Sequence, residues 1–294
     1  ITNRMKNLYI ILLSALALTS CEEVIDLKLD TAPQKLVIDA ALDWKKGEAK
    51  AYPIVDISYT EPYFAETHSP AVNNAVVKII SDSQTYNLTL WDGTSTITSD
   101  NLTPLKGGSR YVFPAGIAPQ LGKNYELIIE LNGQTYTAKD KMLEAPVIAS
   151  NRIVQKENGG FLGDRKELRF YFEGINDGVA NAYLVKLAQN NTSKTTYGVL
   201  DDNYIANNRF FFVMTGVDND EKLKKDDVVN VLLYRIQPEY KNFLQTIIQQ
   251  SGRQSPFAIP ARPIGNIVNT TNKRENPLGA FRVSQYTTLQ YTVK

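Results

Sequence analysis

Tyr125-Glu126-Leu127-Ile128-Ile129-Glu130-Leu131-Asn132-Gly133-Gln134-Thr135-Tyr136-Thr137-Ala138 is the stretch on which the reading of the fold turns. Residues 125–130 and 135–138 read as two short strands joined through Leu131-Asn132-Gly133-Gln134. Asn132-Gly133 can occupy both positive-φ positions of a type I′ turn, whose twist matches the strands on either side. The stretch is therefore predicted to be a β-hairpin.

Working outward, the same pattern of short strands and turn signals recurs along the chain. Leu36-Val37-Ile38-Asp39-Ala40 reads as a first buried strand and residues 75–80 as another. Asp82-Ser83 then turns the chain into residues 86–91, where Tyr86, Leu88 and Leu90 share a face, and Asp92-Gly93 turns it again. Residues 35–144 suit an immunoglobulin-like β-sandwich, with a linker expected at Pro146. A second β-rich region covers 145–294. Residues 166–172 alternate, with Leu168, Phe170 and Phe172 on one side, and 182–187, 209–214 and 228–234 continue the pattern. Residues 218–227 are polar and suit a surface loop. One helix is predicted over 238–250, where Tyr240, Phe243, Leu244, Ile247 and Ile248 recur at helical spacing, with Pro238 at its start and Gly252 past its end. Four prolines between 255 and 279 argue for an irregular segment, and a last strand near 281–293 is expected to close the second domain. The fold class is thus mainly β: an immunoglobulin-like sandwich, then a second β-rich domain with one helix.

The amino-terminal region is an address of a different kind. Lys6 leads into an apolar run of about eleven residues, 8–18, too short for a hydrocarbon layer that needs roughly twenty. It ends in Leu18-Thr19-Ser20-Cys21, which resembles a lipobox, the signal after which the cysteine is lipidated and becomes the first residue of the mature chain. Met5 is the expected start, residues 1–20 the signal peptide and 21–34 a lipidated tether. Two or three acyl chains on Cys21 would anchor firmly where one alone holds reversibly. Glu22 and Glu23 follow, and two readings stand for them: a signal exporting the lipoprotein to the cell surface, or an ordinary solvated tether.

Composition narrows the chemistry. The 294 residues are 43% hydrophobic and 21% charged, as in globular proteins, and the net charge of +1 gives no basis for nucleic-acid binding. Cys21 is the only cysteine, so lipidation leaves no thiol for a disulfide, a metal or a nucleophile. His68 is the only histidine; it reads as an exposed loop residue, and zinc sites built on two or three histidines are excluded. No Gly-x-Ser-x-Gly elbow, Ser-x-x-Lys pair or phosphate-cradling loop is present. A carboxylate pair of the glycosidase type stays open, because 31 acids are available and sequence spacing says nothing of spatial spacing. Asp201-Asp202-Asn203 and Asp218-Asn219-Asp220-Glu221 offer oxygen ligands but lack the rest of an EF-hand loop, and solvated turns are the favoured reading. No cofactor and no metal site is expected.

Aromatic loop residues are the candidates for binding, since a rigid ring contributes contact area at small entropic cost. Tyr59-Thr60-Glu61-Pro62-Tyr63-Phe64 leads: Pro62 prevents a central strand, so Tyr63 and Phe64 either stand displayed on a loop or fold back onto the sandwich edge. Tyr59 in the same stretch and Trp44, beside Lys45-Lys46-Gly47, are open to the same two readings.

Several segments together resemble a known family. They are Ile25-Asp26-Leu27, Lys35-Leu36-Val37-Ile38-Asp39-Ala40, Asn74-Ala75-Val76-Val77-Lys78-Ile79, Gly122-Lys123-Asn124-Tyr125-Glu126-Leu127 and Gly133-Gln134-Thr135-Tyr136-Thr137-Ala138. In the second half come Tyr240-Lys241-Asn242-Phe243-Leu244, Ser255-Pro256-Phe257 and Asn276-Pro277-Leu278-Gly279-Ala280-Phe281, where Ala280 replaces an aromatic common in the family. The resemblance is to the Bacteroidota lipoproteins grouped as domain of unknown function 4249. It implies a two-part β-rich lipoprotein of the outer membrane, often encoded beside a TonB-dependent receptor, with no known catalytic residues. The function expected on that basis is non-enzymatic: an accessory or ligand-binding subunit of a TonB-dependent barrel, lipid-anchored on the outer face and serving nutrient uptake. A structural, adhesive or envelope-assembly lipoprotein is the alternative, and a glycan-active enzyme the third reading.

Overall fold

Alternating side chains build the first half of the chain. A computed structural model describes residues 33–62, 68–93, 107–190, 194–202, 209–217, 222–251 and 261–294. Its first seven strands are β1 (Leu36–Lys45), β2 (Ile54–Tyr59), β3 (Val76–Ser81), β4 (Gln84–Leu90), β5 (Ser109–Val112), β6 (Asn124–Leu131) and β7 (Gln134–Lys141). The β6–β7 hairpin forms as the sequence predicts, with Leu131 opposite Gln134 across Asn132 and Gly133, whose φ angles of 50° and 73° are those a type I′ turn requires. β1-β2-β5 make one layer and β4-β3-β6-β7 the other, and β4 joins them by pairing with both β3 and β5. This is the expected sandwich. Ile38, Leu42, Val55, Ile57, Ile79, Leu127 and Ile129 fill the space between the layers. Burial of each such side chain contributes roughly 1.5–3 kcal/mol. Buried phenols are provided for: the Tyr111 hydroxyl donates to Val72 O at 2.6 Å and accepts from Ala75 N at 3.1 Å, and the Tyr125 hydroxyl accepts from Gln120 N at 3.0 Å. Leu90 departs from its expected place beside Leu88. It is 42% exposed, because β4 has by then left β3 and runs along β5.

The second half repeats the logic with aromatic residues. β8 (Ile153–Gly159), β9 (Arg165–Glu173) and β12 (Arg209–Met214) form a three-stranded sheet in the order β12-β9-β8. It packs on β10 (Ala182–Gln189), β11 (Thr195–Asp201) and β13 (Val228–Ile236), which belong to the large sheet. Leu168, Phe170 and Phe172 all point inward as their spacing predicts. Phe170 stacks on Phe212 with centroids 4.9 Å apart, and Phe172 meets the Tyr183 ring edge to face at 4.9 Å.

The chain then returns to the first sandwich, which the sequence reading did not foresee. After helix α1 (Pro238–Ser251), β14 (Val268–Asn269) adds to β7, and Ile267 enters the first core. β15 (Leu278–Thr292) is 15 residues long and serves both halves. Its first part pairs parallel with β1, from Leu278 opposite Val37 to Tyr286 opposite Lys45; its second runs antiparallel to β13. Phe281 and Val283 sit in the first core, whereas Leu289 and Tyr291 pack on the second. The division expected between 144 and 145 lies just after the β6–β7 hairpin, but the chain beyond it, expected to belong to the second domain alone, crosses back to the first. Gln34–Lys294 form one compact unit. Gly279 is required at the crossing: its φ is +96°, and a Cβ there would overlap the Ile38 carbonyl oxygen.

Cys21, Glu22, Glu23, Tyr63 and Phe64 lie outside the described residues, as do Asn203 and residues 218–221. Among the described residues no helix is long and apolar enough to cross a membrane.

Candidate functional site

The strands that bury one face in a core turn the opposite face to a common pocket. In β1, Ile38, Ala40 and Leu42 point into the first core, so Asp39, Ala41 and Asp43 point away from it. β2 does the same with Ile54 and Asp56, β5 with Arg110, β15 with Arg282 and β10 with Leu184 and Lys186. This reverse face runs unbroken across the junction of the two halves because β15 links β13 to β1. Helix α1 partly covers it. Tyr240 and Phe243 anchor the helix in a small core with Leu184, Tyr234, Ile236 and Tyr286, while Leu244, Ile247, Ile248 and Ser251 face the space beside it. Lys241 pairs with Asp201 of β11 at 2.5 Å and fixes the helix laterally. What remains is a cavity of about 370 Å³. That lies within the usual range for small-molecule sites.

The register decides which charges meet. Asp39 stands directly opposite Asp56 across β1–β2, and Asp56 opposite Arg110 across β2–β5. Two carboxylates in adjacent cross-strand positions repel, and the guanidinium relieves this for only one of them. Arg110 Nε and Nη2 donate to the two Asp56 oxygens at 2.7 Å each, and the guanidinium lies 5.6 Å from the Trp91 ring centroid. Arg282 Nε and Nη2 donate to Asp43 at 2.9 and 2.5 Å, and its Nη1 donates to the Tyr240 hydroxyl at 2.7 Å. Ser284 Oγ donates to Asp43 at 2.9 Å. The Arg282 guanidinium is also flanked by the rings of Tyr234 and Tyr240, at 5.4 and 5.3 Å. Arg282 therefore clamps helix, β15 and β1 together.

These environments give chemically similar groups different titration behaviour. Burial alone would raise the Asp43 carboxyl, but the Arg282 charge and its two hydrogen bonds hold it below the usual carboxylate range. Asp39 is raised, chiefly by burial; Arg282 opposes that shift and Asp56 adds to it. Its side chain is accessible from the pocket, and the strands and helix around that pocket limit the bulk water that solvates the charge. Among the described residues the Asp39 carboxylate receives no hydrogen bond. Lys186 is pushed down to about 8 by burial and by Arg282, and the Tyr240 phenol up to about 12 by burial.

The residues singled out from sequence lie elsewhere. Trp44 is half-buried on the first core and its Nε1 donates to Glu48 O at 2.8 Å, so its ring packs instead of being displayed. Tyr59 likewise packs on that core, and its backbone N–H donates to Ser69 Oγ at 2.9 Å. Neither lines the pocket. His68 is exposed, with Nδ1 3.7 Å from a Glu61 oxygen. Asp201 is tied to Lys241, and Asp202 Oδ2 accepts from Asn181 N at 2.8 Å, so both act in local structure. No group of three or more metal-ligating side chains occurs among the described residues. Asp39, Asp43 and Asp56 did leave a trace in the sequence: each is an acid in an otherwise apolar strand, at the position alternate to the core.

The architecture is that of a two-core β protein whose shared sheet carries a charged, helix-roofed pocket on its reverse face. The chain matches the family described as Domain of unknown function (DUF4249) over residues 22–290, and it belongs to that family. Among solved structures, the FN1–FN3 domains of chicken CNTN1 share 9% identity at a TM-score of 0.23, covering 70% of this chain and 63% of that one. A DUF4785 family protein from Legionella pneumophila shares 13% at a TM-score of 0.21, covering 68% and 52%. The chain thus spans less than two thirds of either structure's length. No curated protein matches it.

Proposed function

We propose that this chain is an outer-membrane lipoprotein of Bacteroidota, anchored through Cys21 on the outer face, and that it serves a TonB-dependent barrel as a non-enzymatic, ligand-binding accessory subunit. The observation that carries the reading is the pocket under α1. A fold gains little from assembling three carboxylates and three cations on one sheet face, because burying ion pairs costs about as much as they return. A ligand site does gain, since convergent polar groups in an otherwise apolar cavity orient what binds. The lipobox-like Leu18-Thr19-Ser20-Cys21 and the acids after it support the location, and the family resemblance supports the barrel partner. Asp56 is held by Arg110 and Asp43 by Arg282, which leaves neither well placed as a base or nucleophile and favours binding over hydrolysis.

A structural or adhesive role is the second reading. It is favoured by apolar side chains displayed away from the pocket: Phe161 and Leu162 at the β8–β9 turn, and Phe211 and Val213 on the outer face of β12. The test is a pull-down of the tagged, lipidated protein from native outer membrane with mass spectrometry of its companions. A TonB-dependent receptor in near-equal amount is the expected outcome. Isolation of the lipoprotein alone, even after crosslinking, or with assembly factors, would move the assignment to the second reading.

A further inference from the structure

The charges that line the pocket satisfy one another. Asp43 is engaged by Arg282 and Asp56 by Arg110, each through two hydrogen bonds, and Lys186 interacts electrostatically with both Asp39 and Asp43. Lys186 Nζ also lies over the rings of Tyr234 and Tyr197, 5.0 and 5.8 Å from their centroids. Three carboxylates thus meet three cations, and among the described residues the lining carries no net charge. What it does hold in surplus is hydrogen-bonding capacity. Among the described residues the Asp39 carboxylate accepts no hydrogen bond, and the phenol hydroxyls of Tyr52 and Tyr197, on the same lining, neither donate nor accept one. The wall supplied by α1 has a different character: Leu244, Ile247 and Ile248 are aliphatic.

We propose that this pocket takes an uncharged saccharide ring, its hydroxyls on Asp39 and on the phenols of Tyr52 and Tyr197, and one C–H face against the aliphatic side of α1. The proposal rests on the ligand-binding reading above and gives it a substrate class. A ligand hydroxyl can donate to the carboxylate and can donate to or accept from a phenol, so each uncommitted group gains a partner while the charge balance stays as it is. A ligand with net charge would find no counter-charge, in a place where desolvation already presses on Asp39 and Lys186. A purely apolar ligand would cover the Asp39 oxygens and leave them without donors. The ring's C–H face suits the helix wall, as apolar lining with a few polar groups suits small-molecule sites in general. The size agrees: 370 Å³ holds about a dozen waters at about 30 Å³ each, room for a hexose.

The experiment is ligand-observed NMR titration of the lipidated full-length protein, held in a detergent without a sugar headgroup. The titrants are glucose and galactose, each with its amino-sugar and uronate counterparts, and the zwitterion leucyl-leucine. At least one hexose is expected to bind, and its charged counterparts to bind about tenfold more weakly or worse. Tyr197→Phe, which removes a hydroxyl and keeps the ring, is expected to weaken the hexose about two- to tenfold. Asp39→Asn is expected to weaken it about tenfold and to shift preference toward the uronate, because the lining then carries one surplus positive charge. Both side chains are exposed to the pocket, so their replacement leaves the cores intact. Ile247→Trp, on the part-exposed side of the helix, provides an independent block of the cavity. Absence of binding by both hexoses, full hexose binding by Asp39→Asn, or hexose binding that Ile247→Trp leaves untouched would overturn the proposal. Tighter binding of a charged counterpart or of leucyl-leucine, blocked by Ile247→Trp, would overturn the uncharged saccharide while leaving the ligand-binding reading in place; binding of no titrant, with no barrel in the pull-down, would remove both.

Discussion

Asp39 and Asp43 lie on the same face of β1, and a single contact separates their behaviour. Arg282 grips Asp43 and keeps it ionised, while Asp39 keeps most of the desolvation that enclosure imposes. Asp140 shows the same competition inside the first sandwich. It accepts from Val283 N and Lys141 N, both at 2.7 Å, and these bonds and Arg282 favour its charge, yet burial outweighs them and, with Glu239 adding, raises it to about 7. The folded state therefore holds this proton more tightly than the unfolded chain. Its contribution to stability is fully present below the unfolded carboxyl range and is lost as pH rises through about 7. Asp140→Asn keeps an acceptor for Val283 N and lacks the titration. Between pH 5 and pH 8 the unfolding free energy of the wild type, read from urea curves, is expected to fall relative to that of the variant, at up to about 1.4 kcal/mol per pH unit; a constant difference between the two would show that Asp140 ionises freely. Little of this was legible in the sequence. An acid in a strand, read alone, signals an outward-facing position, and the identity of its partner depends on which strand from elsewhere in the chain lies beside it. For Asp43 that strand begins more than two hundred residues later.

At the scale of elements, legibility followed local pattern. The β6–β7 hairpin carries its own turn chemistry and alternation, and α1 its own period, and both formed where their residues predicted. β2 was harder, because Ile54 and Asp56 share a face and break the alternation. β5 has only four residues, all buried, and β11 holds a glycine and is partly buried at every position but the exposed Tyr197, so neither shows a period of two. β8 is largely polar, with Gln155-Lys156-Glu157-Asn158 in succession, and so shows no apolar period. Strands of this kind are placed by the strands they pair with and not by a period of their own. The parallel contact of β1 with β15 depends most on one residue, since Gly279 lies against the Ile38 backbone with no room for a side chain. Gly279→Ala combines an unfavourable positive φ with a backbone clash, and is expected to destabilise the protein by about 2 kcal/mol or more. A denaturation curve within about 0.5 kcal/mol of wild type would mean that the strand pair tolerates a shift the close approach forbids.

At the scale of the molecule, β15 governs how the two cores are coupled. Two domains joined by a linker at Pro146 would melt independently, each with its own midpoint. Here the strand that completes the first core with Phe281 and Val283 continues, without a break, as the strand that pairs with β13 and packs Leu289 and Tyr291 on the second. Further ties cross the same junction: Gln285 Oε1 accepts from Ala145 N at 3.1 Å, and Thr287 Oγ1 donates to Pro146 O at 2.8 Å, which fixes the supposed linker to β15. Loss of either core would strip β15 of half its partners and expose the reverse face that Asp39, Arg282 and α1 share. Unfolding of the mature chain is thus expected to be a single cooperative transition, with calorimetric and van't Hoff enthalpies that agree. The same coupling should make Gly279→Ala lower the stability of both halves together, read as coincident loss of fluorescence from Trp44, on the first core, and of far-ultraviolet strand signal. Two separated transitions, with only the lower one moved by the substitution, would show that the cores unfold independently and that β15 does not couple them.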